Sequence, residues 1–198
     1  MLKRLLQSSR SYRRFDGSHR LEEATLRELV DLTRLIPSAA NRQPLKYVLS
    51  ADPETNAIIF PCLAWAGYLR DWDGPEEHEQ PTGYILLLLD HRISTNPHCD
   101  HGIAAQTIML GAAEKGLGGC IIASIQRERL QRELDIPQNY EILLALALGK
   151  PAERVVLQDV ESDGDIRYWR DDEDVHHVPK RKLEDILIQT NDEKGGSG

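Results

Sequence analysis

Apolar side chains recur along the chain in two rhythms, and each rhythm predicts an element. Leu26, Leu29, Val30 and Ile36 fall at helical spacing and predict a helix over residues 22–36. Pro37 ends it, because a proline biases the residue before it out of the helical region. Leu2, Leu5 and Leu6 predict a short helix over residues 2–9, followed by a basic, irregular stretch over 10–20. Residues 45–50 read as a strand and 53–59 as a helix. The stretch 60–81 holds Pro61, Pro75 and Pro81 and two of the three tryptophans, and reads as a helical turn leading into a long loop. Thr82–Asp90 carries a continuous apolar run and predicts a strand covered on both faces.

The second half continues the alternation. Asp100–Gly116 predicts a helix rich in small residues (Gly102, Ala104, Ala105, Gly111, Ala112, Ala113), which would let another helix approach closely. Asp100 is its expected N-cap and Gly116 its expected stop. A strand over 119–123, a helix over 127–134 and a buried strand over 141–148 follow. Beyond Pro151 the chain turns polar and acidic, with little periodicity before Leu183–Ile188. A segment that buries little by itself is expected to pack on a partner, so residues 151–190 read as an extended C-terminal arm of a single domain spanning 1–190. Residues 191–198 are expected to be disordered. Strands and long helices in mixed order suit an α+β sandwich.

Composition narrows the function classes. The chain has 198 residues, 40% of them apolar and 28% charged, an ordinary globular balance. Its net charge of −8 argues against nucleic-acid binding, so any anion site must be local. Three widely spaced cysteines (Cys62, Cys99, Cys120) form neither a disulfide framework nor a CxxC pair, which fits a reducing, cytoplasmic setting. The N-terminal residues are too few and too polar for a signal peptide, and the run Tyr84–Leu89 is far short of a membrane span.

Four segments carry candidate chemistry. The first is Arg10-Ser11-Tyr12-Arg13-Arg14-Phe15, a cluster of the residue best suited to bidentate recognition of phosphate or carboxylate. The second is Pro37-Ser38-Ala39-Ala40-Asn41-Arg42-Gln43-Pro44, a polar loop closed by prolines. The third is Lys115-Gly116-Leu117-Gly118-Gly119-Cys120, which is neither a P-loop nor a Rossmann fingerprint. Its glycines more simply end a helix and permit close backbone approach, and Cys120 reads as a small buried residue. The fourth is Val178-Pro179-Lys180-Arg181-Lys182-Leu183. Taken singly, the bland readings win: a solvated turn, a connector, a helix stop and a solvated basic run. His98-Cys99-Asp100-His101 and His176-His177 gather metal-ligating types. Helix capping by Asp100 accounts for much of the first cluster, and no metal is expected.

In this order the four segments resemble the nitroreductase family. That family's pattern has Arg-Ser-x-Arg-x-Phe after the first helix, then Pro-Ser-x-x-Asn-x-Gln-Pro, then a small-residue helix ending in Gly-Leu-Gly, then Pro-Lys-Arg near the C-terminus. Arg10–Phe15, Pro37–Pro44, Gly116–Gly118 and Pro179–Arg181 match. The resemblance implies a sandwich with a central, mostly antiparallel sheet flanked by helices, in an intertwined homodimer with a C-terminal arm and two FMN molecules at the interface. By position, Arg10, Ser11 and Arg13 would hold the FMN phosphate, ribityl chain and pyrimidine edge, and Lys180 and Arg181 would complete the phosphate site. Pro37, Ser38, Ala39 and Asn41 would come from the other subunit, with Gln43 a further ring contact. The backbone at Ala123 and Ser124 would face flavin N5.

The same resemblance implies hydride transfer from NADH or NADPH to flavin N5 and on to a small aromatic acceptor, a nitro compound or quinone, in a ping-pong cycle. No side chain is needed as an acid, so none is named catalytic. Rival readings are a flavin-binding or storage protein without turnover, a reductive dehalogenase-like flavoenzyme, and a module whose arm docks a partner protein. Two departures bear on the pocket. Leu45 stands where the family often has an aromatic residue, and Ala123-Ser124 stand where some members place a glutamate-glycine pair. Trp65, Tyr68 and Trp72 lie where members vary and often line the substrate pocket, and they either stack on a substrate or pack the loop onto the body.

Overall fold

The computed structural model describes residues 1–188, so the expected disorder of 191–198 lies outside the described residues. The chain divides into two compact units, Met1–Glu153 and a second beginning at Arg154.

The first unit holds α1 (Leu2–Ser8), α2 (Glu23–Leu32), β1 (Leu45–Ser50), α3 (Pro53–Ile59), β2 (Gly83–Asp90), α4 (Asp100–Glu114), β3 (Gly118–Ile122), α5 (Arg127–Glu133) and β4 (Tyr140–Gly149). Short 3-10 turns cover Thr33–Leu35, Ala39–Asn41, Phe60–Cys62 and Glu77–Glu79. The four strands form one antiparallel sheet in the order β1-β2-β4-β3. Every residue of β2 is buried, as its unbroken apolar run predicts. The period of two along the strand sorts its side chains into two cores. Ile85 and Leu87 join Leu26, Leu29, Ile108 and Leu146 on one face. Tyr84, Leu86 and Leu88 join Ile59, Cys62, Cys120 and Leu130 on the other.

α4 packs on α2, and its small residues are what permit this. A Cβ on Gly111 would stand 2.6 Å from Leu32 Cδ1 and 3.1 Å from Leu29 Cδ2. Gly116 has φ +69°, the left-handed geometry of a helix stop. The helix predicted over 22–36 is shorter, because the chain tightens into a 3-10 turn after Leu32 before Pro37 is reached. The N-cap expected at Asp100 falls on Cys99 instead, with no side-chain cap; Asp100 is the first helical residue and its carboxylate is used elsewhere.

Strand β3 lies at the sheet edge, and its glycines are required by close approach. A Cβ on Gly119 would meet the Ala147 carbonyl oxygen at 2.6 Å and Leu148 Cδ2 at 2.7 Å. The backbone oxygen cannot move without parting the β3–β4 ladder. Gly119→Ala is therefore expected to cost at least about 2 kcal/mol, seen as a lower urea midpoint. A midpoint equal to that of the parent would show that the strands part freely.

The second unit holds β5 (Val155–Val160), β6 (Trp169–Arg170), β7 (His176–Arg181) and α6 (Leu183–Ile186). Its sheet has the order β5-β7-β6, with β5 parallel and β6 antiparallel to β7. These strands lie where the sequence shows little periodicity. The turn between β6 and β7 is organised by Asp171, whose Oδ1 accepts from the N–H groups of Glu173 and Val175 while His177 Nε2 lies 2.8 Å from Oδ2. The hydrogen bond with His177 holds the Asp171 carboxyl below the usual carboxylate range. No helix among the described residues is long and apolar enough to cross a membrane.

Candidate functional site

The arginine segment is an extended strap tied down on both sides. Tyr12 N–H donates to Gly119 O at 2.9 Å on the free edge of β3. Phe15 N–H donates to Glu79 O at 2.9 Å, Asp16 N–H to Lys150 O at 2.8 Å, and Ala152 N–H to Arg14 O at 3.0 Å. Phe15 is fully buried against Gly149, where a Cβ would stand 2.9 Å from the Phe15 ring. Gly118 does the same for the Tyr12 ring and Pro151. Gly118 after α4 and Gly149 at the end of β4 thus make room for the strap, a role the sequence offers only as generic close approach around Gly116–Gly119.

The strap sorts its three arginines by partner. Glu153 Oε1 accepts the backbone N–H groups of Arg13 and Arg14. The Arg14 guanidinium pairs with Glu79 at 3.3 Å and lies over the Trp72 ring at 5.9 Å. Arg13 is buried, and its Nη1 donates to Ser11 O at 3.3 Å. Arg10 Nη2 donates to Leu6 O, but its Nε–H is buried with no acceptor among the described residues. A buried donor on a cation without an acceptor is costly, and an anion placed there removes the cost. Phosphate, which accepts in the plane of the guanidinium, suits that donor. Cys120 lies close enough for Arg13 to oppose the upward push that burial gives its thiol, so it is an inert core residue beside the cations.

The Pro37–Pro44 loop is a second built feature. Ala40, Asn41 and Gln43 all have positive φ (50°, 54° and 52°), an unusual density for residues other than glycine. Ser38 Oγ donates to Asp100 Oδ2 at 2.5 Å, and Ala39 N–H donates to Asp100 Oδ1 at 3.0 Å. Gln43 N–H donates to Ser38 Oγ at 2.9 Å. Pro37, Asn41 and Gln43 are exposed, and together with Ser38, Tyr47 and Asp100 they border a cavity of about 260 Å³. Burial pushes the Tyr47 phenol up, with the nearby Asp100 adding to the shift.

Ala123 and Ser124 are exposed just past β3, and the chain there is held from two directions. Arg127 Nη2 donates to Ala123 O at 3.0 Å and to Leu143 O at 3.2 Å, while its Nε donates to Ile142 O at 2.8 Å. Leu143 is the extra residue of a bulge, where β2–β4 pairing jumps from Leu87–Leu144 to Leu88–Ile142. Ala64 N–H donates to Ser124 O at 3.0 Å. Trp65 packs on Phe60 and the second core, and its indole ring is what a Cβ on Gly74 would meet at 3.1 Å. Trp72 lies under Arg14, and Tyr68 is exposed. In the second unit, Lys180 and Arg181 end β7 with exposed side chains, and Arg181 Nη1 donates to Ser162 O at 2.9 Å. No group of three or more metal-ligating side chains forms among the described residues. Sequence reasoning missed Glu153 and Arg127, which stand in no motif, and the loop role of Asp100, which it read as a helix cap.

A model of the family described as the nitroreductase family matches residues 6–68 and 84–150. The chain belongs to the nitroreductase family. Among its relatives is YodC of Bacillus subtilis (strain 168), provisionally named an NAD(P)H nitroreductase, 22% identical over 176 residues that cover 74% of this chain and 87% of YodC. The fold is shared with the crystal structure of a nitroreductase family protein from Streptococcus pneumoniae TIGR4, at TM-score 0.64 and 18% identity over 78% of this chain and 92% of that one. It is shared too with a protein from Clostridium difficile R20291 titled an FMN-dependent nitroreductase, at TM-score 0.63 and 21% identity over 76% of this chain and 87% of that one. For this nitroreductase-family chain, the matched residues contain the strap, the proline-bounded loop and the Gly-Leu-Gly turn. Pro179–Arg181 lies outside them.

Proposed function

We propose that the protein is an FMN-dependent oxidoreductase that draws electrons from NAD(P)H and reduces a small aromatic acceptor. The observation that carries this reading is the buried Nε–H of Arg10, a cationic donor without an acceptor among the described residues, on a strap pinned to β3 and to the end of β4. Family membership and the NAD(P)H nitroreductase name of YodC support the reaction class. The FMN-dependent neighbour from Clostridium difficile supports the flavin.

Bound FMN would supply the redox chemistry, taking two electrons from NAD(P)H and passing them to a nitro compound or quinone in alternating half-reactions. Arg10, Ser11 and Arg13 hold the phosphate, ribityl chain and pyrimidine edge in this reading, and Lys180 and Arg181 add cations at the phosphate. Arg13 would place a positive charge beside the ring and so favour its reduced form. Pro37, Ser38, Ala39 and Asn41 serve a second subunit's cofactor, with Gln43 at the ring, and the backbone at Ala123 and Ser124 faces N5. Trp65, Tyr68 and Trp72 are the proposed pocket residues. A cytoplasmic homodimer is part of the proposal. Leu183, Ile186, Leu187 and Ile188 are 59–90% exposed, an apolar patch that a second copy would cover. Light scattering should return twice the 22.4 kDa chain mass; a monomer at working concentration would remove this part.

The decisive experiment is spectroscopic. The purified protein, supplied with FMN, is expected to retain a flavin spectrum through gel filtration, and anaerobic NADH or NADPH should bleach it. Re-oxidation by a quinone or nitroaromatic separates an enzyme from a storage protein. A protein that takes up no FMN overturns the reading.

A further inference from the structure

We propose that Asp100 is a positioning residue, whose carboxylate holds the Pro37–Pro44 loop in the shape that presents Asn41 and Gln43 to the cofactor; this rests on the flavin reading above. Two backbone turns, Asn41 N–H to Ser38 O at 2.9 Å and Arg42 N–H to Ala39 O at 3.1 Å, close the loop locally but do not tie it to the rest of the fold. Asn41, Arg42 and Gln43 are exposed, so no apolar burial fixes them. Three of the four residues from Ala40 to Gln43 sit at positive φ, a conformation that persists only where surrounding contacts over-determine it.

The side-chain contacts that anchor the loop to the fold converge on one carboxylate. Asp100 is 3% exposed and accepts from Ser38 Oγ–H and Ala39 N–H, one bond to each oxygen. Ser38 Oγ then accepts Gln43 N–H, which carries the constraint across the strained residues to the far side of the loop. Gln43 Nε2 donates back to Asn41 O and Oδ1, both at 3.2 Å, so the two exposed amides move as one unit. The far end is held by Asp90 N–H donating to Pro44 O at 2.9 Å. Asp100 is itself the first residue of α4, where the helix dipole favours a negative charge, and its N–H donates to Pro97 O at 3.0 Å. An aspartate that merely capped the helix would face its own N–H groups; this one is turned toward residues 61 and 62 positions upstream.

The test compares three variants of the full chain by FMN fluorescence titration, by visible circular dichroism of bound FMN, and by thermal unfolding of the apoprotein. Asp100→Ala and Asp100→Leu remove both acceptors, and the leucine keeps the volume filled should the alanine variant fail to fold. Each is expected to weaken FMN binding about tenfold and to change the dichroism of the bound flavin. Asp100→Asn can still accept from Ala39 and can donate to Ser38 Oγ, so it should restore affinity to within about threefold of the parent. Loss of affinity that follows unfolding temperature across all three variants, asparagine included, would make the role merely structural and overturn the proposal. So would parental affinity and dichroism in Asp100→Leu. A parent chain that binds no FMN overturns the flavin reading and this inference together, whereas a parent that binds beside an unaffected Asp100→Leu overturns this inference alone.

Discussion

Changing Arg10 and Arg13 together to alanine is expected to lower FMN affinity at least about a hundredfold, since each charge-assisted hydrogen bond contributes about 1.5–3 kcal/mol. The protein should then leave gel filtration colourless. The two arginines act differently. Arg10 carries a buried Nε–H that no described residue accepts, so its loss removes that unused donor and, besides it, only an exposed bond from Nη2 to Leu6 O. Arg13 is buried and holds Ser11 O, so its loss also frees the strap between Ser11 and Tyr12. Arg10→Ala alone should therefore weaken FMN with little change in stability, while Arg13→Ala should reduce both. Arg10→Lys should recover only part of the affinity, because an ammonium group lacks the planar fork. Flavin occupancy unchanged in the double variant would remove the strap from the cofactor site.

Phe15→Ala is expected to cost about 3–5 kcal/mol, the range for truncating a fully buried aromatic side chain. The ring fills the space above Gly149, and the backbone on either side of it closes two of the strap's ties, to Glu79 and to Lys150. Emptying that space cannot be repaired by collapse, because the ties hold the chain at both edges. Phe15→Leu should lose less than half as much. Denaturant midpoints measure both, and FMN affinity should fall with Phe15→Ala because Arg13 loses its anchor two residues away. A loss of less than about 1 kcal/mol would mean that the strap is held by its hydrogen bonds alone.

Most of the first unit could be read from the chain. The apolar run of β2, the spacing of Leu26 and Leu29 in α2, and the small residues of α4 each declare a buried face by local period. The shared outline with solved nitroreductase-family structures agrees. The second unit is harder to read. β5 pairs with β7 while keeping Leu157, Gln158 and Asp159 exposed, so neither strand alternates cleanly. Pro179 stands inside β7 and argues against a strand there. β6 reaches only His176 and His177, which leaves β7 an open edge at Pro179, the setting in which a strand tolerates proline.

By itself, the sequence determined the layered α+β pattern, the two-faced central strand, the glycine stop after α4 and the family to which the arginine segment points. The first three follow from the transfer of apolar surface out of water and from backbone sterics, both of which act within a few residues, whereas the family follows from the resemblance of the ordered motifs. Tertiary structure alone decided the partner of each polar group. It turned Asp100 from an expected helix cap into the acceptor for Ser38 and Ala39, and it gave Arg14 to Glu79. It seated Trp65 against Phe60 and the core, and it left the Arg10 Nε–H without an acceptor among the described residues. A hydrogen bond is directional and short, so its partner depends on where chain segments distant in sequence come to lie, which no local period encodes.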